Sequence, residues 1–182
     1  MAADNHEEPL DVCDANGMPL GLSKTRHEVH HSGRWHRTVH IWVVNHAMQL
    51  LLQKRSPAKE AHPGFWDVSA AGHITAGDSS ILAAIRELHE ELGLVAVESD
   101  LQFLFHIRQW FDDPENSFFD REIADVYLLR SEEGTNDFKF DPEEVAGVRW
   151  IDADMLRREL KEKTGEFVPH GKEYEKVLGI IG

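Results

Sequence analysis

A chain of 182 residues with 41% apolar side chains holds enough material for one compact domain and its core, which excludes a disordered or collagen-like polymer. Its 33 acidic against 19 basic side chains give a net charge of −14, a field that repels a phosphate backbone and argues against a nucleic-acid partner. The single cysteine, Cys13, permits no internal disulfide, and no apolar run reaches membrane-spanning length, so a cytoplasmic protein with no membrane partner is expected.

In chain order, a short strand is expected around Leu10 to Cys13, followed by a turn at Asp14 to Gly17. The β-branched and aromatic run from Thr38 to Asn45, a turn at His46–Ala47 and the sequence MQLLLQKR then predict a hairpin. Trp66 to Ala71 reads as another strand, ended by Gly72. From Ser79 to Leu92 the period changes: Ile81, Ile85, Leu88 and Leu92 fall at i, i+4, i+7 and i+11, the stripe of a helix. Asp78 or Ser79 serves as its N-cap, and Gly93 lies where a C-terminal glycine belongs. Two longer strands follow, around Phe103 to Phe111 and Phe118 to Arg130, joined through DDPENS. A turn at DPEE, a strand ending at Trp150, a helix from Asp152 to Lys163 and a short helix from Lys172 to Leu178 close the chain. Strands in the middle with helices interrupting late imply the α+β class, or helices on both faces of one sheet.

On the helix, Glu87, Glu90 and Glu91 occupy i, i+3 and i+4 and so share a face turned away from the apolar stripe. Like charges at this spacing destabilise an isolated helix by roughly 0.2–0.5 kcal/mol per pair. A hard divalent cation converts that repulsion into coordination, because Mg²⁺ prefers carboxylate oxygens and keeps waters for a substrate phosphate.

The segment Gly72 to Leu94, GHITAGDSSILAAIRELHEELGL, resembles the signature box of the Nudix hydrolase superfamily. Gly72, Arg86, Glu87, Leu88, Glu90, Glu91, Gly93 and Leu94 all match at the required spacing, a coincidence on the order of 10⁻⁸ per starting position at average usage. The resemblance implies an α/β/α sandwich with a mixed β-sheet, over a single domain of residues 1–182 in which 1–33 form an N-terminal extension. It implies metal-dependent hydrolysis of a diphosphate linkage in a small molecule, of the nucleoside diphosphate-X type or a related organic diphosphate, with Mg²⁺ or Mn²⁺. Glu90 and Glu91 match principal metal ligands, Glu87 a further ligand or the base that activates water, and Arg86 the arginine that orients a glutamate. Gly72 matches the glycine whose carbonyl faces a metal, and Gly93 the helix exit. Asp78 stands where the family has its first Glu, one methylene shorter, and helix capping explains it equally well.

Beyond the box, EVHHSGRWHRTVHIW, QKRSPAKEAHPGFWDVSAAGH and FFDREIADVYL are similar to the isopentenyl-diphosphate-isomerase-like branch. Isomerases carry a catalytic cysteine immediately before the Gly-His pair, and this chain has Ala71 there, so hydrolysis is the better reading and isomerisation or non-catalytic diphosphate binding the alternatives. The same resemblance matches His36 and His73 to histidine ligands and Asp120 and Glu122 to a pair of acids, with His30 or His31 as a third imidazole. Asp120 and Glu122, at i and i+2, share one face of a strand. Glu122 is also the candidate acid outside the box, as ligand or general base. Arg55, Lys54 and Lys59 are candidates for the substrate's phosphates. Trp66, Phe65 and Trp110 are candidates for stacking, with core packing as their ordinary role.

Overall fold

The computed structural model describes residues 5–135, 137–163 and 166–182. In chain order the elements are β1 (Pro9–Cys13), β2 (Pro19–Thr25), α1 (Arg26–Ser32), β3 (His36–Val44), β4 (Gln49–Arg55), β5 (Trp66–Asp67), β6 (Ala70–His73), α2 (Ser80–Leu92), β7 (Leu101–Asp113), β8 (Phe118–Arg130), β9 (Val145–Asp152), α3 (Ala153–Glu162) and α4 (Lys172–Ile181). The nine strands make one mixed sheet. β3 is its centre, running parallel to β8 from His36↔Glu122 to Val44↔Arg130 and antiparallel to β6 from Thr38↔His73 to Ile41↔Ala70.

The sheet is covered on both faces, because β3 alternates between two apolar layers. Val39, Ile41 and Val43 pack with Ala83, Ala84, Leu88 and Leu92 of α2. Trp42 and Val44 pack with Leu156 of α3 and with Tyr174, Val177 and Leu178 of α4. The result is the α+β architecture expected, with helices on either side of a mixed sheet. Among the described residues no helix is long and apolar enough to cross a membrane.

Three local expectations change. The hairpin of β3 and β4 pairs only at its turn, Val44↔Leu50. A run that is apolar on both faces belongs in the middle of a sheet, so β6 and β8 take the edges of β3 while β9 and β5 take those of β4. The strand expected from Trp66 to Ala71 is broken, since Trp66–Asp67 pairs with β4 and Ala70–His73 with β3, and Gly72 lies inside β6 rather than ending it. α1 has no counterpart in the sequence reading. Its seven residues lack a long apolar stripe, yet Thr25 and Glu28 form a full capping box, and Val29 and His30 are buried.

α2 follows its sequence signals closely. Ser79 is the N-cap, its hydroxyl accepting from the Leu82 amide, and Gly93 is the left-handed C-cap with φ of 69°. A Cβ on Gly93 would lie 2.7 Å from the Lys139 carbonyl oxygen. Gly93→Ala is therefore expected to destabilise the fold by at least ~1–2 kcal/mol, which a thermal melt reads directly; an unchanged Tm would contradict this account of the helix exit.

Candidate active site

The strand registers gather a polar face at one end of the sheet. His36, Thr38 and His40 alternate onto one side of β3, and their cross-strand partners include Glu122, His73 and Ala71. On β7, Gln109 and Phe111 stand opposite Glu122 and Asp120. The other half of this face is sealed by α4, and the uncovered half is the floor of a cavity of about 1250 Å³.

At one side of the floor, His30 of α1 joins His36 and His73. His30 Nε2 lies 3.4 Å from His73 Nε2 and 3.6 Å from Asp120 Oδ1. His36 Nε2 is 3.7 Å from Asp120 Oδ1 and 4.0 Å from Glu122 Oε1. The ring of His36 is oriented by its Nδ1, 3.1 Å from the Arg34 carbonyl, which leaves Nε2 turned into the cluster. Both His36 Nε2 and Asp120 Oδ1 are buried without a hydrogen-bond partner. Orphaned atoms of this kind are costly, and a shared cation satisfies both. Burial drives all three imidazoles toward the neutral, ligating form: His30 falls to about 2, His36 is lowered and His73 falls well below the usual range. Burial pushes Asp120 up to about 6, and burial with the charge of Asp120 pushes Glu122 up to about 7.

The carboxylates of α2 reach the cavity past β6. The missing side chain of Gly72 makes room for Glu87, whose carboxyl would overlap any Cβ placed there. Glu91 accepts from the Ala71 amide at 2.9 Å and from Gln53 Nε2 at 2.8 Å. Glu87 and Glu91 are buried while Glu90 stands at the exposed rim, so the shared helix face is graded from floor to mouth. Arg86 spans them, with Nη1 2.8 Å from Glu87 and 3.3 Å from Glu90, and Nη2 donating to the His73 carbonyl at 2.8 Å. Burial, with the charge of Glu91 added and that of Arg86 opposing, holds Glu87 well above the usual carboxylate range. Burial raises Glu91 to about 7 against the pull of Lys59 and its hydrogen bonds. Two crowded carboxyls that resist ionisation are a set of hard oxygen donors short of a cation, and the donor set fits a divalent metal.

The remaining sequence candidates separate. Arg55 and Lys59 line the cavity, Arg55 bonded to Asp67 at 2.9 Å and Lys59 to Glu144. Lys54 and Trp66 are not among the lining residues. Lys54 Nζ lies 5.8 Å from the Trp66 ring centroid, and Arg149 covers that ring at 4.4 Å, so the two pack with each other away from the polar floor. Trp110, 68% exposed, and Phe111 do line the cavity. Cys13 is buried on β1, and burial pushes its thiol up to about 11. His40, Asp67, Gln109 and His170, all at the cavity lining, join the buried Glu173 in a polar cluster that no sequence motif announced.

A NUDIX domain family model matches residues 34–171. The protein named Nudix hydrolase 3 of Arabidopsis thaliana is 39% identical over 180 residues, covering 96% of this chain, which itself spans only 23% of that longer protein. An isopentenyl-diphosphate Delta-isomerase of Rhodobacter capsulatus is 31% identical over 149 residues, 81% of each chain. Among solved structures, DR0079 from Deinococcus radiodurans superimposes with a TM-score of 0.73 at 24% identity, covering 96% of this chain and 99% of the other.

Proposed function

The chain belongs to the NUDIX domain family, and from that premise we propose that it hydrolyses the diphosphate linkage of a nucleoside diphosphate-X compound or related organic diphosphate, using Mg²⁺ or Mn²⁺. The whole of residues 1–182 serves as one catalytic domain in this reading, with Pro9–Cys13 joined to the sheet through Val12↔His36. The observation that carries the reading is the pair Glu87 and Glu91, buried together against Gly72 and Ala71 with both carboxyls pushed toward protonation.

Glu87, Glu90 and Glu91 would hold the cation, with the Gly72 carbonyl as a further oxygen. When bound, the metal supplies charge neutralisation at phosphoryl oxygens and a more acidic water. Arg86 keeps Glu87 and Glu90 in place by ion pairs and locks the helix to β6 through the His73 carbonyl. With the histidine cluster metal-free, Glu122, pushed up to about 7, is instead poised to accept the proton of a water attacking phosphorus, since a base works best with its pKa near the working pH. Arg55 and Lys59 add positive charge at the cavity wall for the substrate's phosphates.

His30, His36 and His73 with Asp120 and Glu122 would hold a second metal, of the type that accepts imidazole nitrogen. Protein as purified is then expected to retain a stoichiometric transition metal or Zn²⁺. The imidazoles already stay neutral in acid, so protons compete chiefly at Asp120 and Glu122, and dialysis below about pH 6 should strip the ion. Elemental analysis before and after dialysis, with His73→Ala as control, checks this; metal-free protein as purified would remove the second site.

The function is tested by incubating pure protein with nucleoside, sugar-nucleotide, dinucleotide, thiamine and prenyl diphosphates in Mg²⁺ and Mn²⁺. Cleavage of the diphosphate is expected. Conversion of isopentenyl to dimethylallyl diphosphate is not, because Ala71 offers no thiol where the isomerases resembled here carry one. Double-bond migration without cleavage would overturn the reading, and so would inertness toward the whole set.

A further inference from the structure

The cavity floor has a third polar wall that neither the acidic helix nor the histidine cluster uses. It is centred on His40, two residues beyond Thr38 on the same side of β3 and only 3% exposed. Its cross-strand partner on β6 is Ala71, whose single methyl leaves room beside the imidazole, and both residues line the cavity. His40 Nδ1 lies 2.9 Å from Glu173 Oε2. Glu173, fully buried on α4, also accepts from Trp42 Nε1 at 2.9 Å and Gln109 Nε2 at 2.5 Å. Gln109 in turn meets His170 Nδ1 at 2.7 Å, and His170 Nε2 meets Asp67 at 2.5 Å.

A buried ion pair adds little to stability compared with apolar packing. What this one achieves is to fix a single ring, with Nδ1 engaged by a carboxylate from behind and Nε2 on the ring's opposite side. Among the described residues Nε2 has no hydrogen-bond partner of its own. Resting on the diphosphate reading above, we propose that His40 forms an anion subsite of the cavity, its Nε2–H donating to a phosphoryl oxygen of the bound diphosphate, with Glu173 as its positioning residue.

Charge and chemistry favour this over a proton-transfer role. The charged and titratable groups facing His40 are Glu173 from α4, Asp67 from β5, Glu122 from β8 and His170 from the segment before α4. Burial works against the imidazolium, but Glu173 outweighs it, with Glu122 and Asp67 adding, and His40 is pushed up to about 9. A group this basic is a weak acid at neutral pH, and a phosphate leaving group, with a second pKa of about 6, needs no proton. A cationic donor fixed in advance still stabilises the anion, and it does so from a wall where the carboxylates of α2 supply none of that charge.

The test uses the full chain and methylenediphosphonate, which has no P–O–P bridge to cleave, titrated calorimetrically in saturating Mg²⁺ near neutral pH. Asn at position 40 keeps a donor near the place of Nδ1 for Glu173 and removes Nε2, whereas Gln restores an uncharged donor near the place of Nε2. His40→Asn should bind the diphosphonate at least ~10-fold more weakly than wild type, as expected for a lost hydrogen bond to a charged group, and His40→Gln should fall between them. Mg²⁺ affinity without diphosphonate should be the same in all three. Glu173→Gln should move the loss of diphosphonate binding in alkali to lower pH, which a merely structural Glu173 would not. Equal diphosphonate affinity in wild type and His40→Asn overturns the subsite, as does a matching loss of Mg²⁺ affinity in that variant. Absence of Mg²⁺-dependent binding by wild type overturns instead the functional reading beneath it, and the subsite with it.

Discussion

Glu91→Gln is expected to lower kcat by at least ~10²-fold at saturating Mg²⁺, with the chain still folded. The substitution is close to isosteric, and the Gln oxygen can still accept from the Ala71 amide that Glu91 engages at 2.9 Å. What disappears is one negative charge from the floor of the cavity, where burial leaves little water to replace it. Glu90→Gln should cost a similar factor despite its exposed position, because Arg86 ties Glu90 and Glu87 into one arrangement. Without metal the Glu91→Gln protein should melt no lower than wild type, since burial already opposes the charged form of this group. Steady-state kinetics and a circular-dichroism melt of each variant are the measurements. Near-normal turnover by both would sink the assignment of these carboxylates to the metal.

The helix α2 could be read from the sequence because every signal along it agrees: an apolar stripe, a serine cap and a glycine exit. The spacing of its carboxylates puts them on one face but says nothing of their depth. Only the edge position of β6 and the bare backbone at Gly72 explain why Glu87 and Glu91 sink while Glu90 remains at the rim. The choice between His30 and His31 had no answer without α1; once the capping box at Thr25 starts that helix, His30 falls on its inward side beside Val29. Lys54 and Arg55 both read as substrate cations in the sequence, yet neighbours on a strand point to opposite faces, so one cavity cannot take both. The pairing of His40 with Glu173 joins residues 133 positions apart. No local pattern specifies such a contact; it follows from β3 being central and α4 folding back over it.

That same pair sets the pH dependence of the fold. Stability of the metal-free protein should fall as pH rises from about 6.5 to about 9, and the cause should be His40. Its folded pKa of about 9 lies above the ordinary 6.5, so the folded chain holds a proton that the unfolded chain has lost, and stability present below 6.5 drains away as pH climbs through 9. At roughly 1.4 kcal/mol per pH unit this interval amounts to a loss on the order of 3 kcal/mol. Most other perturbed groups act elsewhere. Glu91 and Glu122, also raised, complete their losses near pH 7. His30, His36 and His73 are lowered and exert their effect below 6.5, with the opposite sign. The thiol of Cys13, raised to about 11, matters only at higher pH. Glu87, held well above the usual carboxylate range, adds a loss of the same sign in wild type and His40→Asn alike, so the difference between their slopes from pH 7 to 9 isolates the imidazole. Urea unfolding of wild type and His40→Asn at several pH values in that range measures it. The wild-type curve should descend more steeply than the variant's; parallel curves would mean that Glu173 does not hold His40 charged.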